Sequence, residues 1–221
     1  IQEDLLDNST LDQIADKIDN KIEGIRLKYV DDTYGEAIQA GDGIHGLIDS
    51  LKEHPEVGTP LYGPLINTVT RGARLKKFYL RSAPTGVGKS RSMIADACYI
   101  ACDEIYDERF GWIHNGTKEP TLYIATEQEK SEIQTMMLAF LSAVNEEHIL
   151  NGQYIGDEEE RVRKAADILA DSPLYIEELP DFSLKDIEDK IKKNIRDHGV
   201  KYVFHDYIHT SLKILEEITR R

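Results

Sequence analysis

One eight-residue stretch, APTGVGKS at residues 83–90, constrains the fold of this chain more than any other feature. It follows the apolar run KKFYLRS and precedes a run in which apolar residues recur at helical spacing. It matches the pattern G-x-x-x-x-G-K-[ST], except that Ala83 holds the first position. A strand, a glycine-rich turn and a helix in this order predict a phosphate-binding loop.

The residue types of the loop suit a nucleoside triphosphate and its metal ion. Glycines at 86 and 88 allow backbone angles that turn successive N–H groups inward, and the following helix points its positive end at the same place. Lys89 can reach the β- and γ-phosphates, and the Ser90 hydroxyl can ligate Mg²⁺. A glycine-rich turn with an incidental lysine is the alternative. The predicted cofactors are ATP and Mg²⁺, and the predicted binding residues are Ala83, Pro84, Thr85, Gly86, Val87, Gly88, Lys89, Ser90 and Arg91.

Two carboxylates downstream complete a predicted hydrolytic site. The apolar run KYVFHD ends in Asp206, which can join Ser90 at the metal because parallel sheets bind ligands at the carboxyl ends of their strands. The run TLYIATE places Glu127 just beyond another strand, where it can orient or deprotonate water. We therefore predict Glu127 and Lys89 as catalytic, although an exposed structural glutamate is the alternative for Glu127. His205 should lie on the face opposite Asp206, as a structural residue or a relay.

The alternation of strands and helices from residue 77 onward predicts an α/β domain with a parallel sheet. Strands are expected at KKFYLRS, TLYIA, PLYIEE and KYVFHD, and Ser183 and Gly199 are expected to bound a helix. DERFGWIHNGTKEP is expected to be a polar connection. Without a long apolar run or a disulfide framework, the chain is expected to be cytoplasmic with no membrane segment. The two cysteines are expected to be small buried thiols.

The N-terminal region is predicted to be helical. Between residues 9 and 30, apolar residues alternate at spacings of four and three, which forms a coiled-coil-like stripe: Leu11, Ala15, Ile18, Ile22, Ile25 and Tyr29. The stripe can pack on the chain's own core or on a neighbouring subunit. We predict a helical linker segment at residues 1–40 and an ATPase domain at residues 41–221.

The order of these motifs resembles the RecA-like ATPases, and most closely the DnaB-type replicative helicases, from about Gly58 to Ile208. RSAPTGVGKS looks like the family's alanine-led loop, and LYIATEQEKSEIQTMMLAFLSAV is similar to its strand–glutamate–helix segment. The resemblance implies a RecA-like P-loop NTPase with a largely parallel sheet flanked by helices. It also implies a homo-hexamer joined through the linker helix, ATP hydrolysis with Mg²⁺, movement on single-stranded DNA, and contacts with a primase or helicase loader.

The sequence departs from that pattern in several places. DNA-binding loops and an arginine finger, which the family carries later in the chain, are not assignable, and His205 and His209 replace residues that are usually apolar and Gln. We expect the full gene product to continue, because KKFYLR would otherwise leave a bare apolar edge. The net charge of −14 argues against a nucleic-acid surface and favours an alternative, a RecA-like regulatory or recombination ATPase that acts through protein partners. A phosphotransferase and an inert assembly module are further alternatives.

Overall fold

The computed structural model describes residues 15–22, 38–207 and 213 of the chain. The chain divides into two compact units, Ile1–Pro55 and Glu56–Arg221. In the first unit, residues 15–22 are helical (α1) and Ile44–Glu53 form α2. Ile18 and Ile22 of the predicted stripe are about half exposed, and several other positions of the stripe lie outside the described residues. The division at residue 40 between linker and ATPase domain stays a prediction.

The second unit carries the predicted alternation of helices and strands. Its strands form a three-stranded parallel sheet and a separate antiparallel hairpin. The elements are α3 (Pro64–Thr70), α4 (Lys89–Ala101), β1 (Glu104–Asp107), β2 (Gly111–His114), β3 (Thr121–Ala125), α5 (Lys130–Ser142), α6 (Glu146–Asn151), α7 (Glu158–Ala170), β4 (Leu174–Glu178), α8 (Leu184–His198) and β5 (Tyr202–Asp206).

The parallel sheet confirms three of the predicted strands, in the order β4–β3–β5. Strand β3 lies at the centre and every residue in it is buried. Its neighbours pair in register, so that Ala125 lies opposite both Glu178 and Asp206. This register brings the carboxyl ends of the three strands to one edge, where α/β sheets bind their ligands.

Helices cover both faces of the sheet, as parallel strands require. Tyr123 and Ala125 pack in the main core with residues of α4, α5 and α7. Leu122 and Ile124 point the other way and pack against residues of α8. Helix α8 is bounded as predicted. Ser183 accepts a bond from the backbone N–H of Asp186, whose side chain accepts from the Ser183 N–H.

The prediction of a strand at KKFYLRS was wrong. Residues 77–84 have no assigned secondary structure, and Phe78 and Leu80 are 82% and 71% exposed. An extended run becomes a strand only when another strand supplies hydrogen bonds, and the described parallel sheet ends at β5. The expected bare strand edge at this run is therefore not observed.

The connection DERFGWIHNGTKEP is also more ordered than predicted. Residues 104–114 form the β1–β2 hairpin, in which Tyr106 and Trp112 are cross-strand partners with ring centroids 5.5 Å apart. Arg161 and Lys164 of α7 lie over these two rings, at 4.5 and 4.4 Å from the centroids. Aromatic and cation–π contacts thus order a segment whose sequence is largely polar.

Among the described residues, no helix has the length and apolar character needed to cross a bilayer.

Candidate nucleotide-binding site

The glycine-rich loop leads directly into the first turn of α4. Gly86 and Gly88 have φ angles of 82° and 87°, a region that residues with a Cβ adopt only under strain. Gly88 is the N-cap of α4, and Lys89 and Ser90 are its first two residues. The backbone N–H groups of a first helical turn have no acceptor within the helix, and they point toward the loop. The turn and the helix agree with the predicted arrangement, whereas the strand expected before them does not form.

A buried carboxylate, which the sequence analysis missed, fixes the base of the loop. Asp96 of α4 is 2% exposed and accepts bonds from Arg81, at 2.5 Å, and from the backbone N–H of Tyr62, at 2.9 Å. Arg81 also donates to the hydroxyl of Ser92 at 2.7 Å, and that hydroxyl donates to the carbonyl of Lys89. Burial raises the pKa of Asp96, and the bond and charge of Arg81 oppose that rise. An acidic residue within an apolar helical stripe was the available sequence signal.

Lys89 and Asp206 meet at the carboxyl edge of the sheet. The lysine Nζ lies 3.4 Å from Asp206 Oδ1, and the Asp206 side chain is 5% exposed. The hydroxyl of Tyr123 donates to Asp206 Oδ2 at 2.9 Å. Burial and the adjacent Asp206 charge raise the pKa of Tyr123, so the phenol remains a donor. Asp206 Oδ1 itself is buried and has no hydrogen-bond partner among the described residues.

Tyr207 connects Glu127 to this pair, and it too was missed from the sequence. Its hydroxyl donates to Glu127 Oε1 at 2.7 Å, and its ring centroid lies 4.1 Å from Lys89 Nζ. The hydrogen bond to Glu127 raises the pKa of Tyr207. The backbone N–H and hydroxyl of Thr126 both donate to the carbonyl of Asp206, at 3.0 and 3.1 Å, which ties the ends of β3 and β5 together. The available sequence signal for this contact was the position of Tyr207 directly after Asp206, at the end of a predicted strand.

Other predicted site residues lie apart from this network. The side chain of Arg91 is 62% exposed and pairs with Glu146 of α6. Both line an open cavity of about 680 Å³ beside α4, α5 and α6. Ala83, Pro84, Thr85 and Val87 are exposed along the loop. His205 packs edge-on against Phe182, with centroids 5.5 Å apart, on the sheet face opposite Asp206.

The residues present fit Mg²⁺ bound together with a nucleotide. Mg²⁺ typically takes one or two protein oxygens and completes its shell with water and substrate phosphates. Asp206 Oδ1, which accepts no hydrogen bond among the described residues, supplies such an oxygen, and Ser90 supplies a hydroxyl on the first turn of α4. The described residues contain no group of three or more His, Cys, Asp or Glu side chains that could hold a metal ion by itself. Cys98 and Cys102 are buried free thiols, as predicted.

Comparison with known proteins decides the family. The family model described as the DnaB-like helicase C-terminal domain matches residues 64–220. The chain belongs to this family. It is also 40% identical over 216 residues to the SPbeta prophage-derived uncharacterized protein YorI of Bacillus subtilis (strain 168). That alignment covers 97% of this chain and 43% of the relative, so the chain spans less than half of that protein's length.

Solved structures support the RecA-like fold of this DnaB-like domain. One solved ATPase domain superposes with a TM-score of 0.60 at 15% identity, covering 78% of this chain and 58% of that one. A DnaB-like replicative helicase, solved in a study of its interactions with primase, gives a TM-score of 0.63 at 15% identity. That match covers 89% of this chain and 48% of the other. The predicted α/β fold with a parallel sheet flanked by helices is thereby confirmed.

Proposed function

We propose that this chain is the ATP-hydrolysing motor domain of a DnaB-type DNA helicase, which couples Mg-ATP hydrolysis to movement on single-stranded DNA. One observation carries the proposal. Lys89, Glu127 and Asp206 are far apart in the sequence, yet they converge at one edge of the sheet, beside the glycine loop that opens α4. That convergence supplies a cation for phosphate, a carboxylate for a metal ion and a carboxylate for water.

Each residue has a role that follows from its position. The backbone N–H groups of residues 86–91 surround the phosphates, and Lys89 Nζ exchanges Asp206 and the tyrosine ring for phosphate oxygens. Ser90 and Asp206 hold Mg²⁺, which neutralises charge on the phosphates when it is bound. Ala83, Pro84, Thr85 and Val87 form the backbone of the loop, while Arg91 borders it. Arg81 and Asp96 keep the loop at its place on α4.

Glu127 is the proposed general base. It follows the buried strand β3 directly, so its carboxylate stands at the sheet edge in an exposed position that water can reach. It accepts a proton from water as the water oxygen attacks the γ-phosphorus and the bond from that phosphorus to the ADP oxygen breaks, which yields ADP and phosphate. An arginine from a neighbouring subunit would add charge stabilisation worth about 10³ to 10⁵ in rate, as in related phosphoryl-transfer enzymes.

The assembly belongs to the same proposal. Residues 1–40 serve as a linker that docks on the next subunit of a homo-hexamer, and single-stranded DNA passes through the ring. A primase or helicase loader is the proposed protein partner, and the cytoplasm is the proposed compartment. Family membership and the structural similarity to a solved DnaB-like replicative helicase support these assignments.

The net charge of −14 favours a second candidate. Affinity for nucleic acid rests largely on Lys and Arg contacts to phosphates, so an acidic chain suits a regulatory or recombination ATPase that acts through protein partners. Both candidates use the same nucleotide site, and they differ in whether DNA changes turnover.

Steady-state ATP hydrolysis by the gene product at its natural length tests the proposal and separates the candidates. The assay runs with and without single-stranded DNA, with Lys89→Ala as the site control. DNA stimulation that is lost in Lys89→Ala supports the helicase motor. Lysine-dependent turnover that ignores DNA supports the regulatory ATPase, and turnover that persists unchanged in Lys89→Ala refutes the nucleotide site itself.

A further inference from the structure

The side chain of Tyr207 occupies the space between two predicted catalytic groups. Its ring lies 4.1 Å from Lys89 Nζ, and its hydroxyl donates to Glu127 at 2.7 Å. Its backbone N–H donates to the hydroxyl of Thr126 at 3.2 Å, and this bond holds the Tyr207 backbone beside the end of β3. Tyr207 thus contacts the cation that would bind phosphate and the carboxylate that would activate water.

Lys89 therefore has two partners within the chain. Asp206 lies on one side of the ammonium group and the face of the Tyr207 ring covers another. An ammonium over an aromatic face is attracted by the ring's quadrupole, but this attraction is weaker than a charge-assisted bond to phosphate. A triphosphate can therefore displace the ring, and the free energy of that exchange is subtracted from nucleotide binding.

The rigidity of the phenol links this exchange to Glu127. Ring and hydroxyl form one planar group that turns about only two side-chain torsions, so a ring displaced from Lys89 carries its hydroxyl away from the observed bond to Glu127. In the observed position one oxygen of Glu127 is engaged by the hydroxyl. Arrival of phosphate at Lys89 would free that oxygen for water.

We propose that Tyr207 is a positioning residue that holds Lys89 and Glu127 together and releases Glu127 when the β- and γ-phosphates take Lys89. This inference rests on the proposed function, since it requires that Lys89 binds phosphate. It adds that the Tyr207 ring competes with phosphate for Lys89, and that phosphate binding and the release of Glu127 occur together. A nucleotide whose phosphates do not reach Lys89 leaves Tyr207 in place.

The test measures nucleotide affinity by titration calorimetry on the full-length gene product, without reference to turnover. Tyr207→Leu removes the ring from Lys89, and Tyr207→Phe keeps the ring and removes only the bond to Glu127. We expect Tyr207→Leu to bind Mg-ATP about three- to tenfold more tightly than the parent, because it loses both the competing cation–π contact and the bond to Glu127. Tyr207→Phe should tighten it by about two- to fivefold, because one solvent-exposed hydrogen bond is lost.

Two controls make the result specific. AMP, whose single phosphate does not reach Lys89, should bind the parent and the variants equally. Tyr175→Phe is the matched variant, because its ring stacks on His198 away from the site and stays in place, and its affinities should equal those of the parent. Tighter nucleotide binding distinguishes the proposed role from misfolding, because a partly misfolded variant would bind more weakly.

The outcomes distinguish this inference from the proposed function. ATP affinity that is unchanged or weaker in folded Tyr207→Leu, or an equal gain for AMP, overturns the role of Tyr207. If the leucine variant does not fold, Tyr207→Phe alone decides, and unchanged affinity there overturns the inference. If Lys89→Ala binds Mg-ATP as tightly as the parent, the phosphate site itself is wrong, and the proposed function fails together with the inference.

Discussion

Removal of the Arg81 guanidinium should destabilise the domain through Asp96. In Arg81→Met the stem of the side chain is largely retained, while the partner at 2.5 Å from Asp96 is lost. Asp96 then keeps only its bond from the Tyr62 N–H, at 2% exposure. A buried carboxylate that loses its charged partner carries a desolvation penalty without compensation.

The expected loss in unfolding free energy follows from how exposed the Arg81 and Asp96 side chains are. Breaking a fully buried pair by removing one partner costs about 3 to 5 kcal/mol. The Arg81 side chain is 29% exposed, so water can replace part of what it provides, and we expect a loss of about 2 kcal/mol. For a domain of this size, that loss lowers Tm by about 4 to 8 °C.

The pH dependence has a defined sign. Burial already raises the pKa of Asp96, and loss of Arg81 removes the group that opposes the rise. A carboxyl whose pKa is higher in the folded state than in the unfolded state destabilises the fold above its folded pKa, and the penalty disappears as pH falls below the unfolded value. Arg81→Met should therefore be less destabilised at about pH 4 than at about pH 7.

Urea unfolding at both pH values measures the effect, with Arg163→Met as the matched control. Arg163 pairs with Glu159 on the surface, where its side chain is 77% exposed, so no measurable change is expected. Because the loop is held through Arg81 and Ser92, the variant should also bind nucleotide more weakly. A loss below about 0.5 kcal/mol at neutral pH, typical of an ordinary surface substitution, would refute the reasoning.

Three further predictions concern the site and the helix caps. Glu127→Gln should leave Mg-ATP affinity near the parent value and reduce turnover by about 10² to 10⁴, as loss of a general base predicts; turnover near the parent rate would show that Glu127 is not the base. Tyr123→Phe removes the donor to Asp206 Oδ2 and should cost about 1 to 3 kcal/mol in thermal or urea unfolding, because a buried carboxylate oxygen is left unsatisfied. Unchanged stability would contradict that pairing. Ser183→Ala breaks the reciprocal cap with Asp186 and should cost about 1 kcal/mol, whereas Ser183→Asp should restore most of it; equal losses in both variants would argue against the cap.

Much of the fold and part of the site could be predicted from local patterns. The strands at TLYIA, PLYIEE and KYVFHD are short, largely apolar runs between polar turns, and each formed where its pattern indicated. The convergence of Glu127 and Asp206 followed from their places just after or at the ends of parallel strands. The run KKFYLRS shows the limit, because the same kind of pattern did not form a strand.

The sequence by itself determined the elements whose causes are local. Glycines at 86 and 88 set the backbone of the loop, Ser183 and Gly199 bound α8, and β3 is mostly apolar, as a strand covered by helices on both faces requires. Only the tertiary structure decided the contacts between residues distant in the chain. Tyr207 meets Lys89 because the register of β5 beside β3 places the strand end over the loop, and no periodicity along the chain encodes that meeting. Hydrogen bonds and charges act across a few ångströms of space, so a site assembled from separate segments is settled only when those segments pack.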